Sequence, residues 1–224
     1  MPKEPTVQEI ISQIKEEMKD NGWYDCLWSF LSSRDMSHII EQLLEIKAVG
    51  GYICPHMADL FRPYKDCPFS KIKVVILTSL KSNEWGHHGL PMCQDMMPVE
   101  NLLSTIGEKV HPTRWGKDGV LQLSTAMTST INAQHHYDIW YKWVSYIVNK
   151  INESYPEMIW IVAGKDSEKY IAHIKSPYKK TIKMWPTLDI RDVWSWSNGL
   201  LIEREQVPVQ WLAVKYQAKI PVSK

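Results

Sequence analysis

The sequence predicts an α/β fold: a single domain whose central four-stranded, mainly parallel sheet is flanked by helices on both faces. Three observations carry this expectation. Short strand-length runs recur at residues 72–77, 120–124 and 158–163, with a more polar one at 179–185. Between them lie longer segments with apolar residues at helical spacing, and strands that alternate with helices build parallel sheets. The 224 residues suffice for one α/β domain with a sizeable core and are too few for two comfortable ones. The expected division is an amphipathic helix over 1–22, the α/β domain over 23–211 and a tail over 212–224.

In chain order, Val7, Ile10, Ile11, Ile14 and Met18 repeat at helical spacing, with Thr6 as N-cap and Glu9 completing a capping box. This helix, ending near Asn21-Gly22, is open to three roles: a lineage addition, a packing element or a contact for a protein partner. Helices over 23–31 and 36–46 follow, broken by Ser32-Ser33 and Gly50-Gly51. The run Ile72, Val74, Val75, Ile76, Leu77 reads as a buried strand. In a parallel sheet the loop leaving its carboxyl end faces the ligand crevice. Residues 98–110 read as a helix with Pro98 at its start, and 125–134 as a small polar loop leaving the second strand toward the crevice. An amphipathic helix covers 137–151. His135-His136 precede it; adjacent residues point in different directions on a helix, so capping or solvated histidines are expected rather than a shared metal. The third strand ends at Gly164-Lys165-Asp166-Ser167 and runs into a helix through Ile174. That terminus offers backbone N–H groups and the Lys165 charge to an anion.

Composition narrows the function classes. A formal net charge of +1 means that nucleic-acid binding has to come from a local patch, not from bulk charge. Eleven Trp and ten Tyr against three Phe suit surfaces that stack on bases as well as cores. Cys26, Cys54, Cys67 and Cys93 lack metal-site spacing, so free thiols and no metal are expected. No cofactor is implied. No apolar run reaches the roughly 18 residues of a membrane span, and a soluble intracellular protein is expected.

Five motifs, taken together, resemble the uracil-DNA glycosylase family over roughly Trp23 to Trp211. The first strand, its polar loop and His88-Gly89-Leu90 resemble that family's strand, G-Q-D-P-Y loop and H-G-L step. Gly119-Val120-Leu121-Gln122-Leu123-Ser124 through Thr128 resembles G-V-L-L-L-N…L-T, and Ile159-Trp160-Ile161-Val162-Ala163-Gly164 resembles the strand ending at G-S. Trp185-Pro186-Thr187 stands where the family has H-P-S. Trp194-Ser195-Trp196-Ser197-Asn198-Gly199-Leu200-Leu201 and Pro208-Val209-Gln210-Trp211 resemble F-S-x-x-N-x-L-L and P-I-D-W. Tyr52-Ile53-Cys54-Pro55 sits at the family's proline-bearing DNA-contact loop.

The resemblance implies DNA as partner and a base pocket at Leu80, Ser82, Met92, Ser124 and Trp185. These positions hold, in the family, the water-orienting Asp, the Tyr that excludes thymine, the stacking Phe, the base-reading Asn and the His that stabilises the leaving group. None of the five matches, so uracil excision is not expected. Lys165, Ser167, Thr187, Leu188 and Arg191 are implied as DNA contacts, with Leu188 or Ile190 as the groove wedge and Arg191 on a phosphate or the groove. Two readings stay open. One is a glycosylase rebuilt for a modified pyrimidine, in which Glu84, with His88 as another candidate, replaces the lost water-activating group. The other is a catalytically silent member used for DNA binding or as a replication scaffold.

Overall fold

The computed structural model describes residues 5–78, 89–91, 112–130, 136–182 and 190–212. Helix α1 spans Val7–Glu17, α2 Trp23–Leu31 and α3 Arg34–Ala48. A short strand β1, Ile53–Cys54, is followed by α4, Arg62–Asp66, and β2, Val74–Thr78. Then come α5, Pro112–Trp115, β3, Val120–Ser124, and β4, Ser129–Thr130. The chain continues through α6, Tyr137–Ser154, β5, Ile159–Ala163, β6, Lys179–Ile182, and α7, Ile190–Glu203.

The sheet has four parallel strands in the order β3-β2-β5-β6. Val74 pairs with Val120 on one side and Ile159 on the other. Successive side chains of a strand point to opposite faces, and both faces of this sheet are covered. Val75, Leu77, Leu121, Leu123, Trp160 and Val162 pack against α1, α2, α3 and α6. Val74, Ile76, Val120, Ile159 and Ile161 pack against α5, α7 and the segment reaching Trp211. The predicted α/β architecture is therefore the observed one.

Local details differ from the sequence reading. The capping box forms as expected: Thr6 Oγ1 accepts from Glu9 N, and Glu9 Oε2 accepts from Thr6 N at 2.7 Å. Yet α1 stops at Glu17, a 3₁₀ turn covers Lys19–Asn21, and Gly22 takes φ 78°. Ile10, Ile11, Ile14 and Met18 join the main core, so of the three roles considered for this helix the structure supports packing. Helix α3 begins earlier than predicted because Ser33 caps it, its Oγ accepting from Met36 N. The segment after β5 is a 3₁₀ helix, Lys165–His173, not an α-helix. In the polar segment after β3, Thr125, Thr128 and Ser129 are buried, and Ser129–Thr130 pair antiparallel with β1. The helix predicted over 98–110 lies outside the described residues. The tryptophan surplus serves the core: Trp23, Trp115, Trp140, Trp143 and Trp160 are completely buried.

Candidate functional site

The crevice lies at the carboxyl ends of the parallel strands, where Thr78, Ser124, Ala163 and Ile182 end β2, β3, β5 and β6. Of the implied site residues, Ser124, Lys165, Ser167, Ile190 and Arg191 are described; Ile190, named as the alternative wedge, is instead buried in the core at the start of α7. Glu84, His88, Leu80, Ser82, Met92, Trp185, Thr187 and Leu188 lie outside the described residues.

Ser124 is buried and spent on its own backbone. Its hydroxyl donates to Ala126 O at 2.6 Å and accepts from Ala126 N at 3.3 Å. Thr78 O accepts from Thr125 N, so the turn leaving β3 is tied to the end of β2. Beneath it, Leu60, Pro63, Tyr64, Gly89, Gln122 and Met127 help enclose only about 10 Å³, room for one water-sized sphere. Gly89, within the His-Gly-Leu step, has φ 75°, and a Cβ there would sit 1.8 Å from Asp59 O. Only glycine tolerates both that backbone conformation and that approach. Tyr64 is fully buried, accepts from Trp143 Nε1 at 2.9 Å and donates to Met127 Sδ. Burial pushes its phenol well above the ordinary value, against the lowering effect of the Trp143 bond.

Gly164, with φ 83°, carries the chain out of β5, its N–H donating to Ile182 O at 3.0 Å. Lys165 follows, exposed. Ser167 corrects the expectation of a DNA contact: it is completely buried, its hydroxyl donates to Ala163 O at 2.8 Å and its N–H to Gly164 O. Both donors close the turn that presents Lys165. Ser124 and Ala163 stand on opposite sides of Thr78, about 10 Å apart by strand spacing, and Lys165 follows Ala163 by two residues. Arg191 is half-buried in the first turn of α7.

Two arrangements escaped the sequence reading. His136 takes the N-cap position of α6 without a side-chain cap bond, and it is buried rather than solvated. Its Nδ1 lies 2.8 Å from Thr128 Oγ1, which also accepts from Trp140 Nε1 at 2.7 Å. Next to Lys165, the Lys169 ammonium lies 5.2 Å, 5.5 Å and 5.4 Å from the ring centres of Tyr137, Tyr141 and Tyr170, within cation–π range. The i, i+4 spacing of Tyr137 and Tyr141 was a usable signal for that patch; the partner lysine, on another element, was not.

Cys26, Cys54 and Cys67 are free. Burial pushes the Cys67 thiol up to about 12 and Cys26 to about 11, which keeps both protonated and unreactive at neutral pH. Among the described residues no group of three or more His, Cys, Asp or Glu could hold a metal ion, and no helix is long and apolar enough to cross a membrane.

No protein-family model matches the chain. The uracil-DNA glycosylase of Actinobacillus succinogenes is 24% identical over 164 residues, 66% of this chain and 74% of that protein. That of Streptococcus thermophilus is 22% identical over 222 residues, 87% of this chain and 100% of that protein. The crystal structure of mimivirus uracil-DNA glycosylase superposes with a TM-score of 0.73 at 18% identity, covering 88% of each chain. The chain is similar in sequence to uracil-DNA glycosylases and has their fold. Among the described residues, the family-like strand runs through Ser124 and through Ala163-Gly164 end at this crevice.

Proposed function

We propose that this chain binds DNA across the crevice and hydrolyses the N-glycosidic bond of a pyrimidine other than uracil. The observation that carries this reading is Ser124. Where the family resemblance calls for an asparagine amide to read a base edge, this chain has a hydroxyl whose donor and acceptor capacity is used on Ala126. A pocket without that amide holds uracil poorly, because bidentate recognition of a base edge needs both an amide donor and an amide acceptor. The curated relatives, named uracil-DNA glycosylases, support DNA as the partner. In this reading Glu84 orients the attacking water, His88 assists in the same loop, Lys165 and Arg191 hold phosphates, and Thr187 and Leu188 meet the strand from the loop after β6.

A silent DNA-binding scaffold is the second reading, favoured by a specific feature: Leu80 and Trp185 replace both a carboxylate and an imidazole. One experiment separates them. Wild type, Glu84→Gln and Leu80→Asp are incubated with duplexes carrying uracil or one of several modified pyrimidines, and abasic sites are counted. The glycosylase reading expects release of a modified base by wild type, a loss of about a hundredfold or more in Glu84→Gln, and no uracil release by Leu80→Asp. Duplex binding without release from any substrate leaves the scaffold reading standing.

A further inference from the structure

A second concave site lies between α1, α3 and residues 51–57, and none of the residues lining it ends a strand at the crevice. Its volume is about 330 Å³, within the range of small-ligand sites. Ile10 and Ile14 from α1, Ile40, Leu43 and Leu44 from α3, and Ile53 from β1 make its walls apolar. Those walls are fixed from behind. Strand β1 is hydrogen bonded to β4. Gly51 N donates to Ile46 O at 2.9 Å, so close that a Cβ at Gly51 would stand 2.6 Å from the Ile46 side chain.

The polar side chains around the cleft decide what it takes. Among the described residues these are Gln13, Glu17, Lys47, Tyr52 and His56, and each is engaged with another group of the protein. Glu17 Oε1 accepts from Gln13 Nε2 at 3.2 Å, and Glu17 Oε2 meets Lys65 Nζ at 2.8 Å. Tyr52 Oη stands 3.4 Å from His56 Nε2, and Lys47 is engaged as well. A charged group entering the cleft would lose its water and meet no unmatched partner, which is costly. An uncharged ligand escapes that cost and takes apolar wall out of water. The space is about twice the 150 Å³ apolar cavity that holds benzene, which sets the ligand at about two fused rings.

We propose that this cleft binds an uncharged, hydrocarbon-rich small molecule about the size of two fused aromatic rings, held between α1 and α3 by apolar contact. Met57, exposed, unbranched and flexible, forms the lip that adapts to it. The proposal needs no action on DNA.

The test uses the full chain, followed by methyl NMR, with naphthalene as the uncharged probe. Its counterpart is a naphthalene disulfonate with a charge on each ring, so that one charge has to enter the cleft. Naphthalene is expected to shift the Ile10, Ile14 and Ile53 methyl signals along one saturable curve. The disulfonate is expected to need a concentration at least about tenfold higher, because its charge is stripped of water. Leu44→Trp, at a half-buried wall position, fills the space and removes the naphthalene shifts. Lys47→Gln leaves naphthalene affinity unchanged, since no charge holds the ligand. In case the tryptophan disturbs folding, the wild-type comparison of the two probes decides alone. Unmoved Ile10 and Ile14 methyls in wild type, binding that survives in a folded Leu44→Trp, equal affinity for the two probes, or a loss of about tenfold in Lys47→Gln overturns the proposal. So does a second copy of the chain shown by sedimentation to close the cleft.

Discussion

Lys165 owes its exposure to the residues on either side of it. Gly164 turns the chain with a backbone conformation that other residues rarely adopt, and Ser167 locks the turn from inside. A phosphate held by Lys165 displaces counterions, so Lys165→Ala is expected to weaken DNA binding alike for all sequences and to lower the salt slope by about one. Unchanged affinity and slope would remove this turn from the interface. Thr128 is a residue of the opposite kind, polar and buried. Thr128→Val keeps the shape and leaves the Trp140 indole N–H without its 2.7 Å acceptor. A stranded buried donor costs about 1–3 kcal/mol, which a lower urea midpoint at unchanged slope would report. An unchanged midpoint would mean that the hydroxyl contributes nothing.

At the scale of elements, helices α1 and α3 are each started by a side-chain cap. Ser33 Oγ accepts from Met36 N and donates to Phe30 O, stopping α2 and starting α3 with one side chain. Ser33→Ala is expected to cost about 1 kcal/mol, measurable by thermal or urea unfolding. In α1 the Glu9 carboxylate is held below its ordinary range chiefly by the Thr6 backbone N–H, then by the Thr6 hydroxyl. The sign follows from linkage. A group whose folded pKa is depressed stabilises the fold above its unfolded pKa, and that contribution is lost as pH falls through the folded value. The capping box thus weakens only in acid, below the ordinary glutamate pKa of about 4.3. A carboxylate titration followed by NMR should place Glu9 below that value in wild type and move it only part of the way back in Thr6→Ala, which removes the hydroxyl and keeps the backbone N–H; an ordinary Glu9 midpoint in wild type would contradict the box.

At the scale of the molecule, β2 and β5 each have parallel neighbours on both edges and are buried at every position. β6 is an edge strand with two exposed residues, Lys179 and Thr181. Opening free energies rise toward the core, so amide exchange should be slowest at Val75, Ile76 and Ile161 and faster in β6. Comparable protection in β6 would argue that its open edge is covered in solution, and the Lys179 and Lys180 charges along it are the kind that discourage such pairing.

The sequence by itself determined the strands β2, β3 and β5 and the helices α1, α2, α3 and α6, because a sheet buried on both faces needs continuous apolar runs, and those and helical spacing are visible without any partner. It also determined the α1 start, since a capping box is a local exchange between residues three apart. Tertiary structure alone decided the rest. The β1–β4 pair has two residues on each side, too few to show a period. Trp23 Nε1 finds its acceptor at Cys67 O, 44 residues away, and Thr128, His136 and Ser167 are buried only because long-range packing surrounds them while short-range bonds satisfy them. The family-like runs over 119–124 and 159–164 marked two of the strand ends that form the crevice. Whether Ser124 and Ser167 face a ligand or their own backbone was settled by the turns that the folded sheet imposes, since a hydroxyl bonds whichever group the chain brings within about 3 Å.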